Sequence, residues 1–183
     1  MESTGVDQQQ ETGTPYPNVP PILESRSDEY QGSGIVSTVA IAGHPIHPVI
    51  VTFPITLLCL AAGTDVGYWL TGDLFWARAS IWLIGLGIVF SILAAIIGML
   101  DFIRIKRVRQ RTAGWAHMYI NVTVLVLSLI NFGLRLGGIA EAIVPIGLVL
   151  SVVIATLLGI GGWYGGELTF RHKVAVIGPG SRE

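Results

Sequence analysis

Charge is scarce in this chain. Asp, Glu, Lys and Arg make up 13% of its 183 residues, against roughly 25% in a water-soluble domain, while 51% are hydrophobic. That balance excludes an ordinary soluble globule and points to a protein of the membrane. Cysteine is almost missing. The single Cys59 excludes an intrachain disulfide framework, a cysteine-ligated iron–sulfur site and a C-x-x-C-H haem attachment. It lies inside an apolar run, where a buried, inert thiol is expected. The N-terminus lacks the basic region, short apolar core and cleavage site of a secretory signal, so no processing is expected. Enzyme signatures are missing as well: there is no nucleophile elbow, phosphate loop, H-E-x-x-H or dinucleotide fingerprint. The run Gly161-Gly162-Trp163-Tyr164-Gly165-Gly166 ends a helical segment and follows no strand, which is the wrong setting for a nucleotide loop. A catalytic activity is therefore not expected, and a redox or electron-transfer subunit is the furthest the sequence goes in that direction.

What the chain does have is four long apolar segments, near residues 48–70, 76–103, 115–136 and 143–164. Each reaches the ~20 residues that a helix needs to cross the hydrocarbon core, and the short connections make neighbours antiparallel. The expected fold is all-α, a four-helix transmembrane bundle over residues 41–177. Residues 1–40 form a polar, acidic tail containing proline and glycine, expected to be disordered or extended. Residues 178–183 make a short C-terminal tail.

The charges are unevenly placed. Residues 1–40 hold six of the twelve acids and one base, Arg26. The second connection carries Arg104, Lys106, Arg107, Arg109 and Arg111 with no acid, and Arg171, Lys173 and Arg182 follow the last segment on the same side. The opposite side has only Arg78 and Arg135. By the positive-inside rule both termini face the cytoplasm. Topology accounts for the basic run, so no nucleic-acid partner is expected. Gly63/Gly67, Gly133/Gly137, Gly161/Gly165 and Gly162/Gly166 are spaced four apart, as in closely packed membrane helices. Trp69, Trp76, Trp115, Trp163 and Tyr164 fall near segment ends as interfacial anchors, while Trp82 lies well inside a segment.

The polar residues that could carry chemistry gather at the cytoplasmic level. His44 and His47 precede the first helix in Gly43-His44-Pro45-Ile46-His47-Pro48, and Asp101 closes the second. His117 and Asn121, four apart and on one face, open the third, and Glu167 and His172 follow the fourth. A residue before proline is biased toward extended backbone, which places His44 and His47 roughly 9 Å apart at about 3.1 Å per residue. That is awkward for two ligands on one metal. If Pro48 occupies the first helical position, His47 becomes the N-cap. One ligand from this pair, joined by His117 from another helix, is the better expectation.

Three readings stay open for the cluster. Its residues cap and cross-link helices in a purely structural or assembly subunit; its histidines hold a b-type haem or another metal; or it is a proton or ion relay. In the haem reading Asp101, Asn121, Glu167 and His172 orient the ligands or move protons. At the opposite end Asp65 lies about 27 Å along the helix from His47, at 1.5 Å per residue, level with Arg135. An Asp65–Arg135 pair with Arg78 or Glu141 as neighbours is expected there, as a structural contact.

These residues also carry a resemblance. Gly43-His44-Pro45-Ile46-His47-Pro48 with Val51-Thr52-Phe53-Pro54-Ile55, then Asp65, Asp101-Phe102, His117 with Asn121, and the closing Gly162 to His172 run resemble the bacterial family called domain of unknown function 2231. The likeness covers about residues 41–177. It implies a four-helix integral membrane domain of unassigned activity. Similar domains occur joined to Rieske-type or cytochrome-c-type modules, which implies membrane electron transfer within a larger complex. The partners expected are the lipid bilayer and other membrane-complex subunits, contacted through the N-terminal tail, which is unlike the family's usual short start.

Overall fold

A computed structural model describes residues 35–41, 44–172 and 174–177. The tail up to residue 34, Ala42, Gly43, Lys173 and residues 178–183 lie outside the described part. Four long helical spans form: His47–Thr71, Leu74–Arg104, Thr112–Leu136 and Ile143–Arg171, each long and apolar enough to cross a membrane. The first is a short turn, α1 (His47–Ile50), running into α2 (Thr52–Thr71). The second is α3 (Leu74–Arg104), and a four-residue helix, α4 (Lys106–Arg109), links it to α5 (Thr112–Leu136). The fourth enters through a wide turn at Ile143–Gly147, continues as α6 (Leu148–Gly166) and ends in a second wide turn at Glu167–Arg171.

The helix boundaries have local causes. Gly72 takes φ 68°, the left-handed conformation that ends helices, and stops α2. Asp73 caps α3 by accepting the Phe75 amide at 2.9 Å. Pro48 sits in the first turn of α1, but the N-cap is Ile46 and no side chain caps it, so His47 belongs to the helix and leaves its imidazole free for other contacts.

Between the helices, Leu58, Ala61, Ile84, Ile88, Val124, Ile154 and Leu158 form one apolar core with members from all four spans. A second cluster, Phe102, Ile105, Val108, Ala113, Leu168 and Val174, closes the end that carries the α3–α5 connection. Two small sheets stand at that end. Strand β1 (Ile35–Val36) pairs in parallel with β4 (Val174–Ile177), and β2 (Ala40–Ile41) pairs antiparallel with β3 (His44–Pro45). Residues 35–40 are thus built into the domain, although composition alone assigns them to the tail.

Two packing expectations change. Cys59 is exposed on the outer face of α2 rather than buried in the core, because the core-facing positions of that turn go to Leu58, Ala61 and Ala62. Of the glycine pairs, only Gly161/Gly165 lies against another helix at both positions. A Cβ at either would press on Asn121 or His117, whereas Gly63, Gly133 and Gly162 face open space. Four-residue spacing defines a stripe, but not which way the stripe points.

Candidate functional site

Helix α5 organises the interior. His117, Asn121, Val124, Ser128, Asn131 and Arg135 recur at alternating steps of four and three, so they lie along one face. That face is turned inward: Val124, Ser128, Asn131 and Arg135 are buried, and His117 and Asn121 are half-buried. Val124 belongs to the apolar core and separates two polar clusters, one at each end of the bundle.

At the end away from the α3–α5 connection, Asp65 of α2 and Arg135 of α5 meet with no solvent exposure. The contact is bidentate, Nη1 to Oδ1 at 2.8 Å and Nη2 to Oδ2 at 2.6 Å. Ser80 of α3 donates to Asp65 Oδ1 at 2.6 Å and accepts from Arg135 Nη1 at 2.8 Å. Ser151 of α6 donates to Asp65 Oδ2 at 2.6 Å and accepts from Asn131 Nδ2 at 2.9 Å. Arg135 Nε donates to Asn131 Oδ1 at 3.2 Å. One carboxylate and one guanidinium are thereby satisfied by groups from all four spans. Arg78 and Glu141, expected as neighbours, are exposed and take no part. The two serines were not anticipated. Ser128, Asn131 and Arg135 continue the spacing of His117 and Asn121, and that continuation was the available signal for the interior stripe.

At the other end the expected cluster divides. His47 and His117 come together, with ring centroids 6.2 Å apart and planes at 79°. The His47 ring lies over Gly98 of α3, where an added Cβ would stand 2.7 Å from its Cε1. The His117 ring lies along Gly165 of α6 in the same way, at 3.0 Å. His117 Nδ1 is 2.8 Å from the Gly161 carbonyl oxygen. A carbonyl only accepts, so Nδ1 carries the proton and Nε2 keeps its lone pair. Asn121 donates to the His117 carbonyl at 2.7 Å. His47 Nδ1 is the one buried side-chain nitrogen or oxygen among the described residues with no hydrogen-bond partner.

The remaining candidates go elsewhere. Asp101 accepts from the Thr38 amide at 2.8 Å, the Thr38 hydroxyl at 2.6 Å and the Ser37 hydroxyl at 2.9 Å. Its hydrogen bonds thus tie residues 37–38 to the end of α3, in place of a bond to either imidazole. Glu167 faces Arg171 at 3.5 Å, a solvent-side pair within one turn. His44 is exposed on β3, where it pairs with Ile41 of β2. His172 is half-buried just beyond the last turn.

The pair can be tested against a metal-containing group. Two imidazole nitrogens at about 2 Å from a metal lying on the line between them, with roughly 1.1 Å from each nitrogen to its ring centre, would place the centroids about 6 Å apart, a span that the observed 6.2 Å can accommodate. A donor set of two neutral imidazoles suits iron or copper. A haem brings four nitrogens of its own and asks the protein for only two ligands. A bare structural zinc asks for about four, and no group of three or more His, Cys, Asp or Glu suited to a metal occurs among the described residues. A ligand imidazole whose other nitrogen donates to a backbone carbonyl has its tautomer fixed, which is the arrangement of His117 on Gly161.

A sequence model of the family described as "Predicted membrane protein (DUF2231)" matches residues 43–178. No curated protein and no solved structure matches the chain.

Proposed function

The chain belongs to the DUF2231 family of predicted membrane proteins, and we propose that it is a small membrane subunit holding a redox-active metal group, a b-type haem in the first instance, between His47 and His117. The observation that carries this reading is the approach of two imidazoles from separate spans to 6.2 Å, one with an unpartnered buried nitrogen. His117 Nε2 and His47 Nδ1 would be the ligand atoms. When bound, the group would accept and release single electrons. Gly161 would hold the His117 tautomer and Gly98 would admit the His47 ring. Asn121, bonded to the carbonyl of His117, would stiffen the turn that presents it. The role is electron transfer within a larger membrane complex, with no catalysis by this chain alone. The five bases of the α3–α5 connection support an orientation with that end in the cytoplasm of a bacterial inner membrane.

The test is a visible spectrum with metal analysis of the purified full chain. A Soret band lost in His47→Ala and in His117→Ala, but kept in His44→Ala, is the expected result. Native protein with neither a Soret band nor stoichiometric metal overturns the reading. A second reading, a structural or assembly subunit, is favoured by one observation: Asp65 and Arg135 spend their whole bonding capacity on joining the four spans.

A further inference from the structure

The α3–α5 connection has a shape as well as a charge. Arg104, Lys106, Arg109 and Arg111 are exposed, and Arg107 is half-buried. Among the described residues none of the five is paired with a carboxylate, since the ion pairs there are Arg135–Asp65 and Arg171–Glu167. The backbone beneath them is held from inside. Ile105 and Val108 are buried with Phe102, Ala113, Leu168 and Val174, and α4 is pressed closely onto Gly114 at the start of α5. Trp115 Nε1 donates to the Arg109 carbonyl at 2.9 Å. Its indole meets Phe102 edge to face, with centroids 4.9 Å apart, and stacks on Tyr119 at 5.7 Å. Trp115 and Tyr119 are themselves exposed, one turn apart, on the flank of α5 just inside the basic turn.

We infer that this connection is a binding site for the headgroup of an anionic phospholipid. The level is right, because the turn joins two spans at the boundary where phosphates lie and where aromatic rings collect. The charge is right, because each Lys or Arg near an anionic membrane surface contributes to attraction, and a guanidinium matches a phosphate's oxygens in pairs. The rigidity matters too. A flexible basic loop would follow any anion, whereas a turn fixed by Trp115, Ile105 and Val108 presents Arg104, Lys106, Arg109 and Arg111 as a standing set. Their stems can also lie along apolar surface with the charge at the rim. Trp115 and Tyr119 offer a ring surface to the glycerol and upper acyl chain of the same lipid.

The experiment uses the full chain in a neutral maltoside micelle at about 0.15 M salt. Native mass spectrometry counts bound phosphatidylglycerol against phosphatidylcholine, with inorganic phosphate added separately. Phosphatidylglycerol should bind at least about tenfold more tightly, and the preference should shrink as salt rises. The fourfold variant R104Q/K106Q/R109Q/R111Q should lose the preference while keeping the wild-type Tm in phosphatidylcholine. R104K/R109K/R111K, which keeps the charge but loses the paired guanidinium contacts, should keep only part of it. Trp115→Leu, which alters no charge, should weaken it. Equal binding of the two lipids overturns the inference, as does an undiminished preference in the fourfold variant. Inhibition by inorganic phosphate at lipid-equivalent concentration would mark a site for free anions and overturn it too.

Discussion

At one end of the bundle Asp65 and Arg135 exhaust each other through Ser80, Asn131 and Ser151; at the other, His47 keeps a buried nitrogen with no hydrogen-bond partner among the described residues. Both clusters lie on the same inward stripe of α5, so helix geometry does not distinguish them. What differs is completeness. A buried charge in a membrane is tolerated when it is paired and its remaining bonding positions are filled, and Asp65 meets that condition with groups from α3, α5 and α6. A buried imidazole nitrogen left open costs stability and is kept where something else uses it. The filled cluster reads as the clasp of the fold, and the open one is where the proposed metal group would be held.

The contrast can be broken most violently at the clasp. Arg135→Met leaves the Asp65 carboxylate buried without its partner and should cost about 3–5 kcal/mol, seen as a large fall in Tm in detergent. Asp65→Leu combined with Arg135→Met should recover most of that loss. Ser151→Ala removes a donor to Asp65 and an acceptor for Asn131 together, for about 1–3 kcal/mol by thermal melting. At the open end Gly98→Ala pushes a methyl into the His47 ring and should cost about 1 kcal/mol while abolishing any Soret band. Gly162→Ala, with nothing within 4 Å of the new methyl, should leave both unchanged or stabilise slightly. His47→Leu should separate stability from function. No hydrogen bond to its Nδ1 is lost, so Tm should move by less than about 1 kcal/mol equivalent, with all of the redox signal gone. A loss at His47 as large as that at Arg135 would place both clusters in the same structural role.

The four spans were legible because apolar runs of membrane length have few other uses. Asp65 and Arg135 could be set at one level by counting 1.5 Å per residue from His47. Their true neighbours were not legible. Arg78 and Glu141 are the nearby charges in sequence, but at the start of a span a long charged side chain can turn outward, while Ser80 and Ser151 fit inside. Azimuth was the missing quantity. It also divided the seven polar residues at the basic end, sending His47 and His117 inward and together while Asp101 turned to residues 37–38. The β1–β4 pairing was hidden for a different reason: its two strands are short, and 138 residues lie between the partners Ile35 and Val174.

That pairing has a consequence for how the domain would be wired to others. Because Ile35 sits beside Val174 in a parallel ladder, the polypeptide enters and leaves at the same doorway, on the face that holds His47 and His117. Anything tethered upstream of residue 35 or downstream of residue 177 starts its reach from there. A fluorescent donor fused on one side and an acceptor on the other should report high transfer efficiency in the folded protein, and a collapse of that signal in Asp101→Ala, where the bonds to Thr38 that hold the entrance strand are gone.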